Sequence, residues 1–246
     1  MARILIVDDA VALAELFANE LTRHGPHQVT VIDSVADVAP SLANSPPFDL
    51  ALVDLSFPAE TASGVDALAT VHLTHPRTLL AIITQGDRWV AEPMRLAWDL
   101  LPIATVVSKS APLDAQLGAI ANVLSTGSAP PDPALQPLLP RGPSGWRSID
   151  EFSRLVHHRG HAKLWRALLD LVGEATYREI ATETGLKLNT IKNYRAQLLP
   201  ELAQHGLPDA SLREMQDFAH RSRVFLEPHI SGPPDEPPTG RRRQAR

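Results

Sequence analysis

Four apolar runs in this chain each end in a polar side chain that one reaction would need. Arg3 to Val7 leads into Asp8 and Asp9, Asp49 to Val53 into Asp54, Leu79 to Ile83 into Thr84, and Thr105 to Ser108 into Lys109. If the runs are parallel strands, their carboxyl ends share one edge of a sheet, and residues far apart in sequence meet in one crevice. Three carboxylates, a hydroxyl and an ammonium make a magnesium and phosphoryl site. Asp54 is the expected nucleophile, and because a carboxylate is a weak one, transfer to it needs Mg²⁺ to neutralise the moving oxygens. Asp9 and Asp54 are expected to bind that metal directly and Asp8 through water, with the main-chain carbonyl of Ser56 adding another hard oxygen. Lys109 would pair with the acyl phosphate, and the Thr84 hydroxyl would hydrogen-bond to it.

The elements that carry these residues are legible as alternation. Strand patterns rich in Val, Ile and Leu fall at 3–8, 27–33, 49–55, 78–84 and 104–109, as expected of strands buried on both faces. Between them, Val11, Ala14, Phe17 and Leu21 recur at helical spacing before Gly25-Pro26 stops the helix. Ser34 can cap a second helix, and 64–75, 88–101 and 112–125 supply three more. The expected fold is a doubly wound five-stranded parallel α/β sheet over residues 1–125.

Composition then changes. Residues 126–146 are rich in proline, which supports neither helix nor a central strand, and read as a semi-rigid extended linker. Residues 147–228 read as helices only, a C-terminal all-α domain, and 229–246 as a disordered basic tail. The net charge of −5 hides an asymmetry: residues 1–125 hold six Lys and Arg against fourteen Asp and Glu, whereas 146–227 hold twelve against eleven. The second half can approach a polyanion that the first half would repel. The absence of cysteine excludes a disulfide framework and a thiolate metal site. With no apolar signal segment and no run of membrane-spanning length, a soluble cytoplasmic protein is expected.

Within the helical half, Thr176 to Leu202 predicts a helix from Tyr177 to Thr184, a stop at Gly185, and a second helix from near Leu188. Glycine permits the positive φ that a steep helix-to-helix turn requires. Ile180, Ala181, Leu186, Ile191 and Leu198 would form a small core, leaving Asn189, Lys192, Asn193 and Arg195 toward solvent. Trp165 is expected in the core, and His157, His158 and His161 lack a convincing fourth metal ligand. Ser211 and Glu214 form a Ser-x-x-Glu capping box. Leu212, Met215, Phe218 and Ala219 give the helix it opens an apolar stripe, continuing to Phe225, which packs on its own domain or on a second copy.

The acidic pair, Asp54, Thr84 and Lys109, at consecutive strand ends and in that order, resemble the receiver domain of bacterial two-component response regulators over about residues 1–125. Departures are visible. The turn after Asp54, Phe57 to Gly64, is about two residues longer than the family's. Gln85 stands where a small residue normally follows the switch hydroxyl, Ser110 replaces the usual proline, and Val106 stands where an aromatic residue normally acts as the switch. Glu179-Ile180-Ala181, Gly185-Leu186 and Thr190-Ile191-Lys192-Asn193 resemble the helix-turn-helix DNA-binding domain of LuxR-type regulators, although Lys187 takes the place of its capping serine. That likeness implies base contacts from Lys192 and Asn193, and phosphate contacts from Asn189, Thr190 and Arg195.

Together the two resemblances imply a transcription regulator, not an enzyme. Its partners would be a sensor histidine kinase, Mg²⁺ and double-stranded DNA, bound as a homodimer. The alternatives are a receiver-gated protein-interaction adaptor and an atypical regulator working without phosphorylation. A small phosphatase is the weakest reading, because no second catalytic acid accompanies Asp54.

Overall fold

The computed structural model describes residues 1–231 except 88 and 148, in two compact units, Met1–Ile149 and Asp150 onward. In the first unit, five strands run β1 Arg3–Val7, β2 Gln28–Ile32, β3 Leu50–Val53, β4 Leu79–Thr84 and β5 Ile103–Ser108. All neighbours are parallel, in the order β2-β1-β3-β4-β5. This is the flavodoxin-like doubly wound order, whose crevice lies at the β1/β3 switch point beyond the carboxyl ends of the strands.

The helices between them are α1 Val11–His24, α2 Val38–Ala43, α3 Gly64–Thr74, α4 Ala91–Leu100 and α5 Leu113–Thr126. Ile4 and Ile6 on one pleat of β1 join a core with Phe17 and Leu21 of α1 and Ile120 of α5. Leu5 and Val7, on the opposite pleat, are equally buried, so the sheet is covered on both faces, as parallel sheets require. Ser34 caps as expected, its hydroxyl accepting from the Ala36 N–H, but over one short 3-10 turn, Val35–Asp37, before α2 begins.

The proline-rich segment is not an extended linker. It folds back along β5, the sheet's free edge, where the N–H groups of Ala129 and Asp132 donate to the carbonyls of Ala104 and Val106 at 2.9 and 2.8 Å. Proline cannot donate to a ladder, so the pairing with β5 runs through the non-proline amides of Ala129 and Asp132 on either side of Pro130-Pro131. Leu135 anchors it and is 3% exposed.

The second unit is helical throughout: a 3-10 segment Ile149–Leu155 that runs into it, then α6 Arg159–Asp170, α7 Tyr177–Thr184, α8 Leu188–Gln204, α9 Leu212–Arg221 and α10 Arg223–Ile230. Trp165 of α6 is fully buried, its Nε1–H donating to the Leu155 carbonyl at 2.8 Å. Phe152 stacks on Phe218 and tilts against Phe225. The apolar stripe of α9 is consumed by this core: Met215 and Ala219 are fully buried and Phe218 nearly so. It therefore offers no face to a second copy. The expected basic tail begins inside α10, and from residue 232 it lies outside the described residues.

Candidate functional site

At the carboxyl edge of β1, β3, β4 and β5 the expected residues meet. Lys109, just after β5, places its Nζ 2.6 Å from Asp54 Oδ2 and 2.7 Å from Asp8 Oδ2. Asp8 and Asp54 are almost completely buried, while Asp9 faces solvent. One carboxylate oxygen from each of Asp8, Asp9 and Asp54 lies within 4.8 Å of the others. Such a set of close, hard oxygen donors fits a small divalent cation, with Asp9 the carboxylate open to an arriving ion.

Burial pushes the Asp54 carboxyl above the ordinary carboxylate value, with the Asp8 charge adding to the rise and the Lys109 ammonium pulling against it. Lys109 is penalised by burial as well, yet its bonds to Asp54 and Asp8 hold it above the ordinary lysine value. The ammonium therefore stays charged and offsets two carboxylates that could not otherwise be buried together.

Main-chain groups fix the remaining parts. The Asp8 carboxylate accepts from the Ala10 N–H at 3.0 Å, and Asp54 Oδ1 accepts a long 3.4 Å bond from the N–H of Ser56. Thr84 is 1% exposed; its carbonyl accepts from the Lys109 N–H at 2.8 Å, and its hydroxyl accepts from the Gly86 N–H at 3.4 Å. Gln85 is exposed, and Val106 is fully buried.

Three contributors went unremarked in the sequence. Gly64 opens α3 against the Asp54 carbonyl, where any Cβ would collide. Gln116, 8% exposed, donates from Nε2 to the carbonyls of Lys109 and Ala111, fixing the loop that carries Lys109. Glu60, within the lengthened turn, accepts from the Val35 N–H at 3.1 Å and ties that turn to the start of the next layer. Gly64 lies eleven residues past Val53, the end of β3, and its place at the head of the helical pattern 64–75 is the only signal for it in the sequence; Gln116 and Glu60 act through tertiary contacts that spacing does not encode.

In the second unit, α7 ends at Gly185, whose φ of +69° is the left-handed conformation expected there, and α8 begins at Leu188. Thr176 and Glu179 cap α7 reciprocally, a Thr-x-x-Glu signature readable in the sequence. Ile180, Ile191 and Leu198 are fully buried; Ala181 and Leu186 are only partly so. Asn189, Lys192 and Asn193 are exposed and Thr190 half-buried, with the Lys192 ammonium 5.8 Å from the Tyr177 ring centre. Arg195 differs from its neighbours. Its guanidinium is turned onto its own chain, Nε donating to the Ala210 carbonyl at 2.6 Å and Nη2 to that of Asp209 at 3.4 Å.

His161 is fully buried between the loop before α6 and the helix α8, its ring 4.0 Å from that of His158 and edge-on to Tyr194 at 5.0 Å. Its Nε2 meets Gln197 Oε1 at 3.1 Å, while Nδ1 is buried without a hydrogen-bond partner. Among the described residues the aspartate cluster is the group of three or more potential metal ligands that converges; the histidines do not form a second.

No protein-family model matches this chain, and no curated protein does. Solved structures do. A CheY-like receiver domain protein of Methanospirillum hungatei shares 22% identity over 51% of this chain and 94% of its own, with a TM-score of 0.44. A LuxR-family two-component response regulator of Aurantimonas shares 18% over 55% of this chain and 92% of its own, at 0.46. A response regulator of Thermotoga maritima, solved with Mg²⁺ and BeF, shares 20% over 50% of this chain and 99% of its own, at 0.42. Among the described residues, no helix is long and apolar enough to cross a membrane.

Proposed function

We propose that this protein is a phosphorylation-responsive regulator whose Asp54 accepts a phosphoryl group and whose second unit binds double-stranded DNA. The observation that carries the first half is the Lys109 ammonium bridging Asp8 and Asp54 at a sheet edge that also holds Thr84. In the reaction an Asp54 carboxylate oxygen attacks the phosphorus of a phosphoramidate-type donor, such as the phosphohistidine of a sensor kinase. The new O–P bond forms as the P–N bond breaks, and the electron pair leaves with the donor nitrogen, which takes up a proton. Asp8, Asp9, Asp54 and the Ser56 carbonyl would hold Mg²⁺, which supplies charge neutralisation for the phosphoryl oxygens. Lys109 is positioned to exchange its bond to the free carboxylate for one to the acyl phosphate, and the Thr84 hydroxyl to donate to the same group.

For the second unit, the reading rests on the exposed Asn189, Lys192 and Asn193 along the helix that follows Gly185. In this arrangement a helix lies in the major groove with Lys192 and Asn193 reaching base edges. Paired copies on two half-sites would supply the affinity that one small domain lacks, in the cytoplasm where kinase and DNA are both accessible.

Intact-protein mass after treatment with phosphoramidate and Mg²⁺ tests the first half. One phosphoryl adduct is expected, lost with EDTA and in Asp54→Asn; an adduct that survives either change overturns the assignment. Salt-dependent binding to duplex DNA tests the second. Its absence would favour an adaptor that captures a protein through the same helical surface.

A further inference from the structure

The segment 128–147 does more than join two units. Two of its amides close hydrogen bonds on the free edge of β5, at Ala104 and Val106, and the Thr105 hydroxyl donates back to the Pro130 carbonyl at 3.2 Å. Its far end is fastened beside α4. There Gly145 and Arg147 donate to the carbonyls of Trp98 and Asp99, the Trp98 indole donates to the Gly142 carbonyl, Trp146 Nε1 donates to Asp99 Oδ1 at 2.9 Å, and the Ser144 hydroxyl donates to the Ile103 carbonyl. Between these two fastenings lies Leu135, buried in a 3-10 corner that Asp132 organises by accepting from Ala134.

What Leu135 sits on is the Thr84 loop. A Cβ at Gly86 would stand 2.3 Å from Leu135 Cδ2, and φ at Gly86 is +77°, so only glycine there leaves room for the leucine. The Gly86 N–H in turn donates to the Thr84 hydroxyl. A continuous path of contacts thus runs from the Thr84 hydroxyl, at the strand edge that also carries Asp54, through Gly86 and Leu135 to the segment immediately before the second unit, which begins at Asp150.

We propose that the segment 128–147 is a strap that reads the occupancy of Asp54 through the contact of Leu135 with Gly86. This rests on the reading of Asp54 as a phosphoryl acceptor. A phosphoryl group on Asp54 recruits the Thr84 hydroxyl as a donor and turns it away from the Gly86 amide. Gly86, freed of that tether, leaves its place under Leu135, and the strap loses the apolar floor between its two fastenings. The buried Val106 leaves no aromatic rotamer at that position to carry the change, whereas the strap already bonds to the Val106 carbonyl. A loosened strap lengthens the chain that tethers the second unit, which changes the effective concentration of that unit without any new contact.

The test is hydrogen exchange of the full-length protein, read on peptides covering 128–136, with and without phosphoramidate and Mg²⁺, alongside intact mass. Exchange in the phosphorylated protein is expected to be at least about fivefold faster, the lower end of ordinary coupling between sites. An adduct on Asp54 with unchanged exchange overturns the strap alone; no adduct overturns the acceptor reading, and the strap proposal with it. Leu135→Ala should still take up the phosphoryl group, with exchange fast in both states and the response gone. Leu135→Met, which keeps an apolar side chain on Gly86, should restore both the protection and the response. A full response in Leu135→Ala, or none in Leu135→Met, shows that the signal does not pass through this contact.

Discussion

A Cβ on Gly64 would stand 1.8 Å from the main-chain carbonyl oxygen of Asp54. The first residue of α3 therefore packs directly on the Asp54 backbone, and the Gly64 N–H donates to the Leu55 carbonyl at 3.4 Å. The helix is held there by its own start, where the Ser63 N–H donates to Asp66 Oδ2 at 2.7 Å. Gly64→Ala forces either the helix or the Asp54 backbone to move. The expected cost is about 1–3 kcal/mol of stability, the usual range for overpacking, together with slower phosphoryl uptake. Urea unfolding and the rate of adduct formation measure the two effects; a variant with unchanged rate and stability would show that α3 can shift freely.

The aspartate cluster makes a separate claim about Mg²⁺. A ligand that binds only the folded state stabilises it by about 2.7 kcal/mol at a hundred times its dissociation constant. Millimolar Mg²⁺ should therefore raise the melting temperature of the unphosphorylated protein relative to EDTA. Asp9→Ala removes the carboxylate that faces solvent while leaving the Lys109 bridge to Asp8 and Asp54 untouched, so the variant should fold and lose the shift. Equal shifts in both proteins would place the cation elsewhere.

On the helical unit the structure separates residues that the sequence had grouped. Lys192→Ala and Asn193→Ala are each expected to cost about 1–3 kcal/mol on a preferred duplex and to relax sequence preference. Arg195→Ala should instead lower stability, because its guanidinium clamps the Asp209–Ala210 carbonyls ahead of α9. Footprinting combined with urea unfolding distinguishes the two. Loss of DNA affinity in Arg195→Ala at unchanged stability would return it to the phosphate-binding role its position first implied.

The contrast with Arg195 shows where sequence reading stops. Asp8, Asp54, Thr84 and Lys109 could be placed because each closes an apolar run, and a parallel sheet converts strand ends into neighbours without further information. Gly185 could be placed because a tight turn between two helices favours a residue that tolerates positive φ. Whether Arg195 points to solvent or back to residues 209–210 depends on where the chain returns, which helical spacing does not record. The segment 128–147 is illegible for the same reason: proline content disfavours helix and sheet ladder but says nothing about two amides finding the free edge of β5. Leu135 is one of three leucines in a proline-rich run, with Leu138 and Leu139, and what singles it out is its fit over Gly86, forty-nine positions earlier.

Burial of His161 gives the helical unit a pH dependence of defined sign. Removal from water is the main reason its pKa lies below the ordinary histidine value of 6.5; the charges of His158 and His157 lower it further, and the Gln197 bond opposes them. The unfolded chain therefore binds a proton at a higher pH than the folded one does. Stability is fully present above about 6.5, and it is lost as pH falls from there through the folded value, because stability rises with pH wherever the unfolded state holds more protons. His161→Phe keeps an aromatic ring against Tyr194 and also removes the buried Nδ1 that lacks a partner. Urea unfolding at pH 7.5 and 5.5, followed by hydrogen exchange on α6 peptides, should show wild type weakening at the lower pH and the variant weakening clearly less. If both weaken equally, the exposed histidines carry the proton uptake. If the variant weakens more, the imidazole is stabilised in its charged form and the sign derived from its burial is wrong.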